Sequence, residues 1–181
     1  ILNVVFKLKQ NFINEGIKVK NYTMELSLST KYASNTIIEV DKQSEKELFA
    51  EVYKLAKYFK EELNYDFVPF CPYGDLREDY KALLFTEQAY DEFATDPMPY
   101  RIYGACNFGI QKFTKEPDRW VLKWIWFHPF FRNRGNLKKN WNKLEEKFGN
   151  FLIESPISND MNSFLENINS TVKVIQFNVH F

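Results

Sequence analysis

The run Trp120-Val121-Leu122-Lys123-Trp124-Ile125-Trp126-Phe127, closed by His128-Pro129, constrains this chain more than any other stretch. Only Lys123 interrupts its apolar character. A short aromatic and β-branched segment without polar alternation reads as a strand covered on both faces, which places it in the middle of a sheet. Such a strand needs a layer above it and a layer below it, and a paired strand on either side.

The neighbouring sequence supplies these partners. Tyr100 to Phe113 is long enough for a full strand, and Thr114-Lys115-Glu116-Pro117-Asp118 is a turn by composition, so the two long strands form a hairpin. Ser44 followed by Glu47 has capping-box spacing. The helix it opens carries Leu48, Phe49, Val52, Tyr53, Leu55, Ala56, Tyr58 and Phe59 at three- and four-residue steps. Lys54, Lys57, Lys60, Glu61 and Glu62 make up its expected outer face. Pro69, Pro72 and Gly74 mark a loop, Tyr80 to Thr86 a short strand, and Glu87 a polar turn. Downstream, Asn136 is the expected N-cap of a helix that runs to Lys147 and stops at Gly149. Phe151 to Glu154 reads as a strand, Ser158-Asn159-Asp160 as the cap of a last helix, and Val172 to Phe181 as a closing strand. Upstream, Ile1 to Lys9, Lys18 to Leu28 and Thr36 to Val40 read as strands. The order predicts a mixed α/β sheet flanked by helices.

Composition excludes several alternatives. With 45% hydrophobic and 18% aromatic residues among 181, the chain is too apolar for a disordered segment. Lysine plus arginine equals aspartate plus glutamate at 24 each, so no global field draws it to nucleic acid or an anionic membrane. No apolar run approaches the roughly 20 residues that cross a bilayer. No basic leader opens the chain, and a cytoplasmic location is expected. Cys71 and Cys106 with two histidines cannot close a four-ligand zinc site unaided, so no metal is expected, and the two thiols read as free and mostly buried in preference to one disulfide.

Against that neutral background, Lys123 to Lys143 contains no acidic residue, while Lys123, Arg132, Arg134, Lys138, Lys139 and Lys143 are basic. They surround the start of the helix expected from residue 136. A helix N-terminus leaves backbone N–H groups unpartnered and adds about half a positive charge. Arg132, Arg134 and Gly135 at such an end suit a phosphorylated cofactor. The other reading of the same residues is a solvated basic helix face with Gly135 serving the turn. Tryptophans 124, 126 and 141 interleaved with lysines also suit single-stranded nucleic acid, although two of them fall in the segment assigned to the core.

The segment Trp124-Ile125-Trp126-Phe127-His128-Pro129-Phe130-Phe131-Arg132-Asn133-Arg134-Gly135-Asn136-Leu137 resembles motif A of the GCN5-related N-acetyltransferases. Arg132, Gly135 and Leu137 fall on the motif's defining positions. The Ser155-Pro156 pair before a capped helix is similar to the corresponding segment of cohesion-type acetyltransferases, which have an acidic residue where Ser155 stands. The resemblance implies an acyl-CoA N-acyltransferase fold in one domain over 1–181, with its core at 36–181 and strands before residue 36 left unassigned.

It also implies a chemistry: acetyl-CoA as co-substrate, and direct attack by a primary amine of a protein or small molecule. The coenzyme would be held by Phe127, His128, Arg132, Asn133, Arg134, Gly135, Asn136 and Leu137. Its pantetheine arm would pair with the backbone around Phe127, where an N–H polarises the thioester carbonyl. Glu154, Ser155 and Ser158 are the catalytic candidates, with Asp160 beside them. Ser158 and Asp160 suit helix capping as well. Phe164 stands where the family has the tyrosine that protonates the leaving thiolate. A catalytically inactive acyl-CoA-binding or protein-interaction domain of the same fold is therefore the alternative. The closing strand would offer an edge for a homodimer.

Overall fold

The computed structural model describes residues 26–31, 37–71, 79–91 and 96–176. The strand expected at Ile1 to Lys9, most of Lys18 to Leu28, and the end of the closing strand lie outside them. In chain order the elements are β1 (Leu28–Ser29), β2 (Ile37–Val40), α1 (Lys46–Leu63), β3 (Tyr80–Gln88), β4 (Tyr100–Gln111) and β5 (Arg119–Phe127). A 3₁₀ turn (Pro129–Phe131), α2 (Asn136–Phe148), β6 (Leu152–Glu154), α3 (Asn159–Asn167) and β7 (Lys173–Ile175) follow. Among the described residues they build one mixed sheet in the order β2-β3-β4-β5-β6-β7, with β1 added beside β4. Pairing is antiparallel from β2 to β5 and parallel from β5 to β7.

β5 occupies the interior position its composition demands, with a core on each face. On one side Leu48, Val52, Leu55, Ala56 and Phe59 of α1 meet Ala82, Leu84, Ala105, Trp124 and Trp126. On the other, Trp141, Leu144 and Phe148 of α2 meet Leu83, Phe85, Cys106, Phe108 and Leu122. Each large apolar side chain so covered contributes about 1.5–3 kcal/mol. Leu122 and Trp124 are two residues apart yet serve opposite cores, which a regular strand forbids. The register explains it: Asn107 pairs with Trp124 and Phe108 with Leu122, so Lys123 is an extra residue, a β-bulge. A second bulge sits at Tyr103 of β4, since Phe85 pairs with Gly104 and Thr86 with Ile102.

Several local expectations are corrected. Ser44 does not cap α1; Glu45 is its N-cap, without a side-chain cap bond. The Ser44 hydroxyl instead accepts from the Asp41 N–H at 2.9 Å, closing the preceding turn. Gly135, not Asn136, is the N-cap of α2. β3 runs on through Glu87 to Gln88, held by pairing with Arg101 and Tyr100, where a turn was expected. Phe151 precedes β6 and is fully buried. Cys71 is exposed while Cys106 is buried.

Candidate functional site

Parallel pairing of β5 with β6 covers Val121 and Leu122. Past the bulge at Lys123 the two strands part, because a bulge bends the strand that carries it. The chain leaving β6 turns away through a cis Ser155–Pro156 peptide into α3. The backbone edge of β5 from Lys123 to Phe127 therefore faces a cleft. Its polarity follows from one peptide unit: the His128 N–H donates to Tyr103 O on β4 at 2.9 Å, so the Phe127 carbonyl points the opposite way, into the cleft. The two-residue repeat of a strand turns the backbone groups of Ile125 to that same side.

Three connected cavities fill the cleft. The first, about 270 Å³, lies between Ile125 to Phe127, the turn at 131–138 and α3, with Ser158, Asp160 and Phe164 on its far wall. The second, about 230 Å³, shares Leu63, Ile125, Ser158 and Met161 with it and adds Tyr65, Lys123 and Glu154. The third, about 490 Å³, shares Tyr65, Lys123, Glu154 and Pro156 with the second and ends against Asn107 and Tyr80.

The α2 terminus opens onto the first cavity. Its first helical bond runs from Lys139 N to Gly135 O at 2.8 Å, so the N–H groups of Asn136, Leu137 and Lys138 have no intrahelical acceptor. Gly135 supplies no side-chain cap and no acidic residue stands in the first turn. Asn133 and Gly135 take left-handed backbone angles, φ 56 and 74. Gly135, Asn136, Leu137 and Lys138 all line the cavity, as does Asn133. The Asn136 amide donates to Phe131 O at 2.8 Å and so braces the turn.

The two arginines of the turn are engaged elsewhere. Arg132 donates from NH1 and NH2 to the two carboxylate oxygens of Glu62 at 2.5 and 2.6 Å, and from Nε to Phe127 O at 2.8 Å. Its guanidinium lines the cavity with its charge matched by Glu62. Arg134 lies over the Phe130 ring, 3.9 Å from the centroid, and is exposed. Lys138 is a second cation at the cavity wall. His128 is likewise turned to structure: its Nδ1 accepts from the Phe130 N–H at 3.2 Å, and its ring packs on Trp126 and Phe131. Burial, then the charge of Arg132, pulls its pKa down to about 4, so it is neutral at pH 7.

Of the catalytic candidates, Glu154 lies 3.3 Å from the Lys123 ammonium. The Ser158 hydroxyl caps α3, accepting from Met161 N at 3.2 Å. Ser155 faces the third cavity. Phe164 packs edge-on against Trp141. Trp124, Trp126 and Trp141 are all buried, which removes the stacking platform that single-stranded nucleic acid requires.

Sequence reasoning missed Glu62 and Tyr65. Glu62 was assigned to a solvated face, yet it also accepts from the Trp126 indole at 2.8 Å. A carboxylate at a helix C-terminus is unfavourable on its own. Burial raises its pKa further; the hydrogen bonds and charge of Arg132, with the Trp126 bond, outweigh this and hold it below the usual range. Tyr65 is raised by burial and by Glu154, so its hydroxyl keeps its proton at neutral pH.

No family model and no curated protein matches the chain. Solved structures do. The xEco2 acetyltransferase domain, bound to a CoA conjugate, superposes with a TM-score of 0.50 at 12% identity over 78% of this chain and 93% of that one. The ribosomal-protein-alanine N-acetyltransferase of Brucella melitensis biovar Abortus 2308 gives 0.50 at 15% identity, over 81% and 100%. At these identities the likeness is one of fold, that of the GCN5-related N-acetyltransferases, a mixed sheet with helices on both faces.

Proposed function

We propose that this chain is an acetyl-CoA-dependent N-acetyltransferase that acts on a primary amine of a protein or small molecule. The observation that carries the reading is the continuity of the cleft. One end meets unpartnered amides of α2, the middle runs along the open edge of β5, and the far end reaches Tyr65 and Glu154. A coenzyme with a diphosphate at one end and a thioester at the other matches that sequence of surfaces.

In this reading the amides of Asn136, Leu137 and Lys138, with the Lys138 ammonium, hold the diphosphate. Asn133, Gly135 and Asn136 shape the turn, and Arg132 fixes it from behind by tying Phe127 O to Glu62. His128 acts through the same turn, and Arg134 remains at its exposed rim. Because Arg132 takes the Phe127 carbonyl, the pantetheine arm is left the Phe127 N–H and the backbone groups of Ile125, and the thioester lies beyond them, toward Tyr65 and Glu154. Acetyl-CoA supplies a carbonyl carbon that accepts the amine lone pair as the C–S bond breaks. Glu154 takes the proton that the acceptor ammonium must lose, and the Tyr65 hydroxyl protonates the departing thiolate. Of the two protons shed by nitrogen, one is balanced by the thiol formed and the other is released to solvent. Ser158 orients α3, and Ser155 lies beside the acceptor.

Phe164 favours the second reading, an acyl-CoA-binding or interaction domain without turnover, because it brings no hydroxyl to the first cavity. Calorimetry with acetyl-CoA, followed by thiol release on adding mixed primary amines, tests both. Binding with turnover supports the enzyme, binding without turnover supports the inactive acyl-CoA-binding domain, and no binding at all overturns both and leaves only an interaction domain.

A further inference from the structure

Lys123 is the one charged residue between Trp120 and Phe127, and the transfer chemistry above leaves it idle. In regular alternation after Leu122 its side chain would enter the core beneath α1. The bulge releases it from both cores. Lys123 has no Cα partner on β4, and its side chain, 22% exposed, lines the second and third cavities instead. Among the described residues no other lysine lines either cavity. Its ammonium stands 3.3 Å from the Glu154 carboxylate, and Tyr65 lines the same two cavities. The chain thus holds within itself what transfer asks of an acceptor: a primary ammonium on a flexible aliphatic stem, beside the carboxylate that takes its proton. It sits on the wall of the cavity toward which the thioester is directed.

We propose that Lys123 is a self-modification site, whose Nζ takes the acetyl group of the acetyl-CoA bound in the same molecule. The inference rests on the transfer reading above and adds a covalent product of that site. Glu154 draws a proton from Nζ, and the freed lone pair attacks the thioester carbonyl carbon. A C–N amide bond forms, the C–S bond breaks, and the Tyr65 hydroxyl protonates the thiolate. Nζ sheds two protons in all: one is balanced by the thiol formed, and the other leaves to solvent. Nothing is oxidised or reduced. The amide carries no charge, so the pair with Glu154 dissolves and the carboxylate is left to an incoming ammonium. Attack inside one molecule needs no encounter, and well-oriented reactions of this kind reach effective concentrations of about 10⁵–10⁸ M. A small part of that advantage separates Lys123 from exposed lysines such as Lys46 and Lys57, which only collide with acetyl-CoA from solution.

The test is incubation of the full chain with acetyl-CoA and no added amine, followed by intact mass measurement and peptide mapping. The expected result is one fast acetyl increment, mapped to Lys123. Its rate constant should not depend on protein concentration, and should exceed that of the same lysine in the urea-unfolded chain at least about a hundredfold. Lys123→Arg keeps the positive charge without a nucleophilic amine, and should lose the fast increment while exposed lysines still react slowly. Glu154→Gln should slow the increment about 10²- to 10⁴-fold. Should Lys123→Arg fail to fold, Lys123→Gln takes its place, and the wild-type map stands on its own. Acetyl groups on Lys46, Lys57 or Cys71 with Lys123 unmodified overturn the proposal. So does a rate constant that rises with protein concentration, an equal rate in the unfolded chain, or an unslowed Glu154→Gln. Calorimetry with acetyl-CoA and thiol release with mixed amines keep the two levels apart. Turnover of added amines with Lys123 unmodified sinks this inference alone, whereas absence of acetyl-CoA binding sinks the transfer reading and this inference with it.

Discussion

The Arg132–Glu62 pair gives the sharpest quantitative expectation. Both side chains are largely shielded, with 29% and 23% of their surface exposed. Two charge-assisted bonds join them, and the Trp126 indole and the Phe127 carbonyl hold the outer valences. Exposed ion pairs contribute about 0–1 kcal/mol, whereas breaking fully buried ones costs about 3–5. A half-shielded bidentate pair falls between, at a coupling of about 2 kcal/mol. A double-mutant cycle of Glu62→Gln and Arg132→Met, read by urea unfolding at pH 7, measures it. Because the folded pKa of Glu62 lies below its ordinary value of 4.5, the stabilisation is complete above pH 4.5 and is lost as pH falls through the folded value. A coupling under about 0.5 kcal/mol at pH 7, in the range of exposed pairs, would refute the assignment. So would a coupling that does not decline in acid.

His128 adds a second acid-sensitive element. Its folded pKa of about 4 lies below the ordinary 6.5, so stability is full above pH 6.5 and falls between 6.5 and 4, by about 3 kcal/mol in all; NMR titration of its ring should show no protonation at pH 6. Gly104→Ala places a Cβ 2.5 Å from Phe127 Cδ1 and 2.8 Å from Trp126 O. It should cost about 1–3 kcal/mol in urea unfolding, and a neutral result would show that β4 and β5 can separate there. Lys138→Gln should weaken CoA binding about two- to fivefold at low salt and less at high salt, while Glu62→Gln, which unmasks the Arg132 charge at the cavity wall, should tighten it; calorimetry over a salt series checks both.

The architecture was legible wherever one local signal was strong. The nearly continuous apolar run gave β5 its interior position, and three- and four-residue spacing gave α1 its buried stripe. The basic turn before α2 was legible as well, since glycine and the absence of acid are both local. Partnership across the fold was not. Glu62 and Arg132 are 70 residues apart and meet only after α1 has crossed the sheet, so a charge on a helix's expected outer face became the clamp of the turn. The bulge at Lys123 was not legible, because a run apolar at nearly every position looks the same whether or not its alternation slips by one.

The slip at Lys123 also makes the length of this strand matter more than its spelling. Conservative swaps among its aromatic residues disturb one packing layer at a time. Deletion of Lys123 would instead restore strict alternation, with Leu122 and Ile125 still beneath α2 and Trp124 and Trp126 still beneath α1. Both hydrophobic compartments would survive, and what would be lost is the bend that parts β5 from β6. Sequence drift in this segment is therefore expected to be permissive in aromatic side chains and strict in residue count.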